Sequence, residues 1–509
     1  MKRYNLFVLL ILLKAVALAG TGLSKYPNIL FILVDDLGYG DVNFELNSVD
    51  AFNNPNLKTP NLARLAKQSR VFTQHYAASP ICSPSRAGLL TGRTPTRTNI
   101  NLFIRDKLDN ETSFLHGREL TVPEMLKSRG YETAIFGKWH LNGADWENRD
   151  SWTGWTGSYP KQQGFDFGFV SKENPHYTRM LAENTQKNPG DFFNVDGEPL
   201  GAVKGYTSDI LSSAAIDWLE NRRDLETPFF AFLSYDAVHL RVDAADRYQD
   251  LYETGDARKD AYYANITHVD AAIGRVLNAL EKNGFDENTI VFFSSDNGPP
   301  ALNTWHATYF CYGTSYPLIG GKSQLSEGGI RVPGMVRWTG KIKPGVSHEP
   351  NSTLDLLPTL AELVEATLPD DRIIDGESIL EHLFDCNTRV DRLHPIYWQF
   401  EYHKETAKVE GTEYERRKVG WPPRQKVLLP HVKIRKGDYV LYGLASEKFV
   451  KPTEFRLYNI VGDREERIEL GKKHPDVLTA MRNEMMTFYA SVEADRLATS
   501  ALIAKGAKP

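Results

Sequence analysis

An α/β fold built on a mostly parallel sheet sandwiched by helices, with a smaller C-terminal α+β unit, is predicted by three observations. Four apolar runs at residues 28–34, 132–136, 229–235 and 289–294 alternate with helical stretches, the order expected of parallel strands joined by helical crossovers. Polar and charged residues gather directly after these runs, at the strands' carboxyl ends, where such sheets bind ligands. The alternation stops after Asp375-Gly376-Glu377-Ser378, and short strand-like segments follow. A chain of 509 residues, 41% of them hydrophobic, supplies material for a large core in more than one unit. The expected boundaries are 1–20 for an export signal, 25–385 for the larger unit and 386–509 for a smaller antiparallel-sheet unit.

In chain order, residues 1–20 carry Lys2-Arg3, an apolar stretch from Leu6 to Leu18 broken by Lys14, and the small residues around Ala19-Gly20. This composition predicts a secretory signal cleaved near Ala19. It is short for a bilayer span, and no later segment is apolar enough for one, so a secreted or periplasmic protein with no membrane span after signal removal is expected. The run Asn28 to Val34 predicts a buried parallel strand ending in Asp35-Asp36-Leu37-Gly38-Tyr39-Gly40-Asp41. Helices are predicted over Asn61 to Ser69, Thr121 to Ser128, Ser208 to Asn221 and Ala261 to Lys282. The strand Glu132 to Phe136 should stop at Gly137 and present Lys138 and His140 on one side, because alternate residues share a face. Phe229 to Tyr235 leads to His239, and Thr289 to Ser294 delivers Ser295-Asp296-Asn297-Gly298 to the same edge. Beyond the boundary near 385, Ile396 to Phe400, Val432 to Arg435, Tyr439 to Leu441 and Phe455 to Asn459 read as antiparallel strands, and Pro475 to Ala490 as a helix against them.

A formal net charge of -5 gives no basic surface to hold nucleic acid. Three cysteines cannot make a disulfide framework; apart from Cys82, only Cys311 and Cys386 remain for one bridge, and sequence does not say whether they meet. Asn-x-Ser/Thr triplets begin at Asn110, Asn265 and Asn351 and matter only in a eukaryotic secretory route.

The chemistry concentrates in a few strings. Adjacent carboxylates at the end of a core strand repel each other unless a cation sits between them. Asp35, Asp36, Asp296 and Asn297 form an all-oxygen set, which selects a hard divalent ion such as calcium over zinc. In Cys82-Ser83-Pro84-Ser85-Arg86 only three residues separate cysteine from arginine, too few for a thiolate phosphatase loop. That spacing instead folds Arg86 back over Cys82 at the start of a helix, where backbone amides and the dipole favour an anion.

Cys82-Ser83-Pro84-Ser85-Arg86 running into Leu90-Thr91-Gly92-Arg93, Gly130 to Leu141, and Gly320 to Pro333 together resemble the signatures of the formylglycine-dependent sulfatases, over roughly residues 25 to 475. The resemblance implies an alkaline-phosphatase-like core. It also implies that a formylglycine-generating or equivalent maturing enzyme oxidises Cys82 to formylglycine. In the family the hydrated aldehyde attacks sulfur with one hydroxyl and expels sulfate with the other. Carried over residue by residue, Arg86, Lys138 and Lys322 offset the sulfate charge, and His140 removes the proton that releases product. His239 meets the sulfate and the leaving oxygen, and residue 82 joins Asp35, Asp36, Asp296 and Asn297 around one Ca2+. Glu327 and Arg331 are expected to brace their loop. One departure stands out: a proline commonly follows soon after the histidine at position 239, and here Leu240-Arg241-Val242-Asp243 follows.

The expected function is hydrolysis of sulfate esters on a carbohydrate, of carrageenan, ulvan or glycosaminoglycan type. Trp146, Trp152, Trp155 and Arg149 form a segment suited either to sugar stacking and a second sulfate or to pinning a loop. The charged stretch Glu401 to Lys426 is either a solvated insertion or a cover for an anionic polymer. A phosphodiesterase or phosphonate monoester hydrolase of the same superfamily is the nearest competitor; those tend to carry histidine where this chain has Asn297. A catalytically inactive homologue that only binds sulfated glycans is the other, and the intact catalytic positions count against it.

Overall fold

A computed structural model of the chain describes residues 25–46, 52–104, 114–144, 155–156, 158–171, 179–180, 192–201, 203–239, 242, 244–300, 312–390, 392–400, 429–445 and 451–504. The expected signal at 1–20, Trp146, Arg149 and Trp152, the charged stretch to Lys426, Cys311 and Asn110 lie outside the described residues.

Nine strands form the main sheet: β1 Asn28–Val34, β2 Arg70–Phe72, β3 Glu132–Lys138, β4 Phe167–Ser171, β5 Phe192–Phe193, β6 Phe229–Tyr235, β7 Thr289–Ser295, β8 Gly334–Trp338 and β9 Gly345–Ser347. Across the sheet they run β9-β2-β8-β7-β1-β6-β3-β4-β5. The central five, β7 to β4, are parallel, and β8 and β5 flank them antiparallel. The continuous apolar sequence of β1 from Ile29 to Val34 follows from this placement. Leu30, Ile32 and Val34 enter one core cluster, Ile29, Phe31 and Leu33 the other, so both faces are covered. Helices Thr207–Asp217 and Ala257–Lys282 contribute to the first cluster, Cys82–Thr91, Val122–Lys127 and Leu356–Leu363 to the second.

Several predicted boundaries shift for physical reasons. The helix ending at Lys282 begins at Ala257, because the Asp256 side chain accepts from the Arg258 amide and caps it. The helix from Thr207 stops at Asp217 and continues as a π turn over Trp218–Arg222. β3 does not stop at Gly137; it continues to Lys138, which pairs with Ser171. His140 lies beyond the strand with φ 57°, so strand alternation does not place it. Asn265 and Asn351 are buried, which rules both out as glycan acceptors in the folded chain. No helix among the described residues is long and apolar enough to cross a membrane.

A second sheet of strands Ile396–Gln399, Leu429–Lys436, Tyr439–Ala445 and Glu454–Asn459 is antiparallel throughout. Its two faces have different partners. Tyr397, Val432, Ile434, Leu441 and Leu457 pack under the helix Pro475–Ala504, through Met481, Met485, Phe488 and Val492. Ile396, Trp398, Val440 and Tyr442 pack instead on Tyr76, Ile81, Leu325 and Ile330 of the larger unit.

Candidate active site

Three adjacent strands end in register: Val34 of β1 lies opposite Tyr235 of β6 and Ser295 of β7. The next residue after each is an aspartate, so Asp35, Asp236 and Asp296 line one edge. Asp236 is not among the residues expected from the sequence, yet it directly follows its apolar run just as Asp35 and Asp296 follow theirs. It is buried and accepts a hydrogen bond from Ser171 at 3.0 Å; its second oxygen has no partner. Burial pushes its carboxyl up to about 7, against Ser171 and the Lys138 charge.

Cys82 is the first residue of the helix Cys82–Thr91, with Arg86 one turn on. The thiol donates to Asp35 Oδ1 at 3.6 Å. Burial pushes the Cys82 thiol up to about 12, despite Lys138 and Lys322 nearby, and Asp35 and Asp296 reinforce the rise. A thiol held there is not a nucleophile at neutral pH. Arg86 donates through Nε to Asp296 Oδ2 (3.0 Å), with NH2 in ion-pair contact with the same oxygen (2.9 Å), and through NH1 to Lys138 O (2.9 Å) and Ser234 Oγ (2.7 Å). Lys138 Nζ donates to Asp35 at 2.5 Å, and Lys322 Nζ to Asp36 at 2.7 Å. The predicted cations therefore converge on the predicted carboxylates from distant parts of the chain.

Electrostatics follow from burial. Desolvation would raise Asp35, but Lys138, His239 and Arg86 hold it well below the usual carboxylate range. Burial and the neighbouring charge of Asp35 push Asp296 up to about 7, against Arg86 and Lys138. His140 is driven well below the ordinary histidine range by burial, and then by Lys138 and Arg86. Its Nδ1 is buried without a partner, leaving a neutral ring with an unused nitrogen. His239 Nε2 sits 3.6 Å from Asp36 Oδ2 with its side chain 15% exposed, whereas Asp36 is 1% exposed. It is the site residue that solvent reaches.

The donor set fits a hard cation. One oxygen from each of Asp35, Asp36 and Asp296 lies within 4.8 Å of the others. Asn297 donates through Nδ2 to Asp36 at 2.7 Å, and its buried Oδ1 has no hydrogen-bond partner. Three clustered carboxylates, with an unsatisfied amide oxygen on the Asn297 side chain that contacts one of them, are what an oxygen-coordinated ion satisfies.

The fold and this constellation are those of a hydrolase acting on a charged ester. The sulfatase family model matches residues 27–366. N-acetylgalactosamine-6-sulfatase of Canis lupus familiaris is 31% identical over 385 residues, covering 73% of this chain and 69% of that protein. The uncharacterized sulfatase YdeN of Escherichia coli K12 is 32% identical over 401 residues, covering 70% and 66%. Among solved structures, Ps i-CgsB in complex with k-i-k-neocarrahexaose superposes with a TM-score of 0.72 at 25% identity, covering 91% of this chain and 93% of that one. The chain belongs to the sulfatase family. It is a sulfuric ester hydrolase.

Proposed function

We propose that this sulfatase removes sulfate from a sulfated carbohydrate, with formylglycine at position 82 and one calcium ion. The observation that carries the reading is that Arg86, Lys138 and Lys322 pair with Asp296, Asp35 and Asp36, three carboxylates clustered at one strand edge, while Cys82 and His239 lie beside Asp35. The names of the relatives support the substrate class, since one acts on N-acetylgalactosamine-6-sulfate by name and another binds a neocarrahexaose. Export to the periplasm or outside the cell, and a unit boundary near 385, belong to the same proposal. The test is a desulfation screen against defined sulfated oligosaccharides, with phosphate esters of the same alcohols in parallel. Release of phosphate but not sulfate overturns it.

Hydrated formylglycine at position 82 would supply the attacking hydroxyl. Calcium held by Asp35, Asp36, Asp296 and Asn297 would add positive charge beside that hydroxyl. The chain's own residues do the rest. Lys138, Lys322 and Arg86, now paired with carboxylates, place three cations around the sulfate position. The unpartnered Nδ1 of neutral His140 is a proton acceptor at that point.

His239, the solvent-reached member, is assigned to protonate the departing sugar oxygen. A sugar alkoxide is a poor leaving group, so this help is worth roughly 100-fold to 10,000-fold; a nitrophenolate needs little. His239→Ala is therefore expected to lose that much kcat/KM on a sugar sulfate and far less on nitrophenyl sulfate. Equal losses on both substrates would assign it to sulfate binding alone.

Cation binding should depend on pH through Asp296. Its carboxyl stands at about 7 in the cation-free protein, and it must be ionised to bind. Calcium affinity, measured by calorimetry, should weaken about tenfold per pH unit below 7 and level off above it. The folded carboxyl is raised above the ordinary 3.8, so the cation-free fold binds the proton more tightly than the unfolded chain. The stability this group contributes is therefore lost as pH rises from 3.8 to about 7. Calcium should abolish that slope.

A further inference from the structure

Lys433 lies on the strand Leu429–Lys436 of the small sheet, far in sequence from every predicted site residue, and is fully buried. Its Nζ donates to Glu327 Oε1 at 2.7 Å, Glu466 Oε1 at 3.0 Å and Tyr442 Oη at 3.0 Å. Glu327, also fully buried, accepts from Tyr76 Oη at 2.7 Å and from Arg331 at 3.3 Å. Its amide donates to Glu466 Oε2 at 3.1 Å, and Tyr442 Oη donates to Leu325 O at 3.2 Å.

These bonds grip two segments that carry reacting groups. Glu327 follows Lys322 by one short loop, and Tyr76 precedes Cys82 on the segment where Trp398 Nε1 donates to Ala77 O at 2.8 Å. The segments are tied to each other by Ala77 N to Ile330 O (2.7 Å) and Ser323 N to Pro80 O (2.8 Å). Close backbone packing holds the Asn297 turn to the same loop: the Gly298 amide donates to Gly329 O at 2.9 Å, and a Cβ on Gly298 would lie 1.9 Å from Gly328 O. A displacement at Glu327 is therefore passed to Lys322, to the entry of the Cys82 helix and to the cation edge.

We propose that Lys433 is a positioning residue: through Glu327 it fixes the Lys322 loop against the Cys82 segment, so the C-terminal sheet sets the geometry of the reaction. It rests on the reading above that Lys322 and residue 82 act on the sulfate. An apolar filling of the same space is often as stable as a buried ion pair, so what the charges add here is direction. A shift of about 1 Å in a catalytic group costs on the order of 100-fold.

The test uses K433M, the double variant K433M/E327Q, and K436M as a control on the same strand, where Lys436 pairs at the surface with Glu484. kcat and KM on nitrophenyl sulfate are measured per mole of formylglycine, together with thermal stability. K433M should lose about 10-fold to 100-fold in kcat, while K436M stays at the wild-type value. The double variant, with the Lys433 and Glu327 charges gone and Glu466 still held by Tyr442 and the residue-327 amide, should regain part of the lost stability without regaining kcat. If kcat returns with stability, or if K433M keeps wild-type kcat per formylglycine, Lys433 is only a brace and the proposal falls. If active wild-type protein carries no formylglycine, the reading of the site falls and takes this proposal with it. The formylglycine count on wild type separates the two failures.

Discussion

Active protein is expected to carry an aldehyde, or its hydrate, at position 82, and Cys82→Ala is expected to lose turnover by about 10,000-fold or more. The size of the loss follows from the lack of a second route. Burial holds the thiol at about 12, so roughly one molecule in 100,000 would be thiolate at pH 7. The surrounding cations do not depend on the sulfur: Arg86 is held by Asp296, Lys138 by Asp35 and Lys322 by Asp36. The variant should therefore fold, losing about 1 kcal/mol for one small buried group. Mass spectrometry of the peptide holding residue 82 checks the modification, and assay of the purified variant checks the loss. Fully active enzyme bearing only the thiol would sink the mechanism.

The second large effect is expected at Asp296. Asp296→Asn should lower kcat/KM by about 100-fold to 1,000-fold, the scale of several kcal/mol of charge stabilisation from a bound ion. Activity lost on chelation should return with calcium or magnesium and not with zinc, because the oxygen set offers no soft ligand. Asparagine is the informative substitution. Asp296→Ala would leave Arg86 buried and stripped of its ion pair and the hydrogen bond within it, at a cost of about 3–5 kcal/mol, and would confuse folding with catalysis. A zinc-restored enzyme, or a crystal with His239 bound to the ion, would overturn the assignment.

The legible parts of the chain are those whose local pattern already carries the tertiary constraint. Asn28 to Val34 reads as a strand because both faces are covered and every residue after Asn28 is apolar. Asp35, Asp36, Asp296 and Asn297 read as cation ligands because carboxylates crowd at two such strand ends. The short strands Arg70–Phe72, Phe192–Phe193 and Gly345–Ser347 have no such signal, since two or three residues show no period and only their neighbours make them strands.

The amino-acid sequence by itself determined the fold class, the family and the six groups proposed to act on the sulfate, because those rest on strings whose members are close in the chain. Tertiary structure alone decided the pairings. Arg86 meets Asp296 and Lys322 meets Asp36 across more than 200 positions, Asp236 joins the edge only through strand register, and His140 takes a backbone turn that strand alternation does not predict. Lys433 shows the reason most plainly. In a strand with one covered face it would be a solvated lysine, and only the second layer, packing that sheet against Tyr76, Leu325 and Ile330, turns it into a buried partner of Glu327. Burial is set by what lies on the far side of a residue, and no local spacing records that.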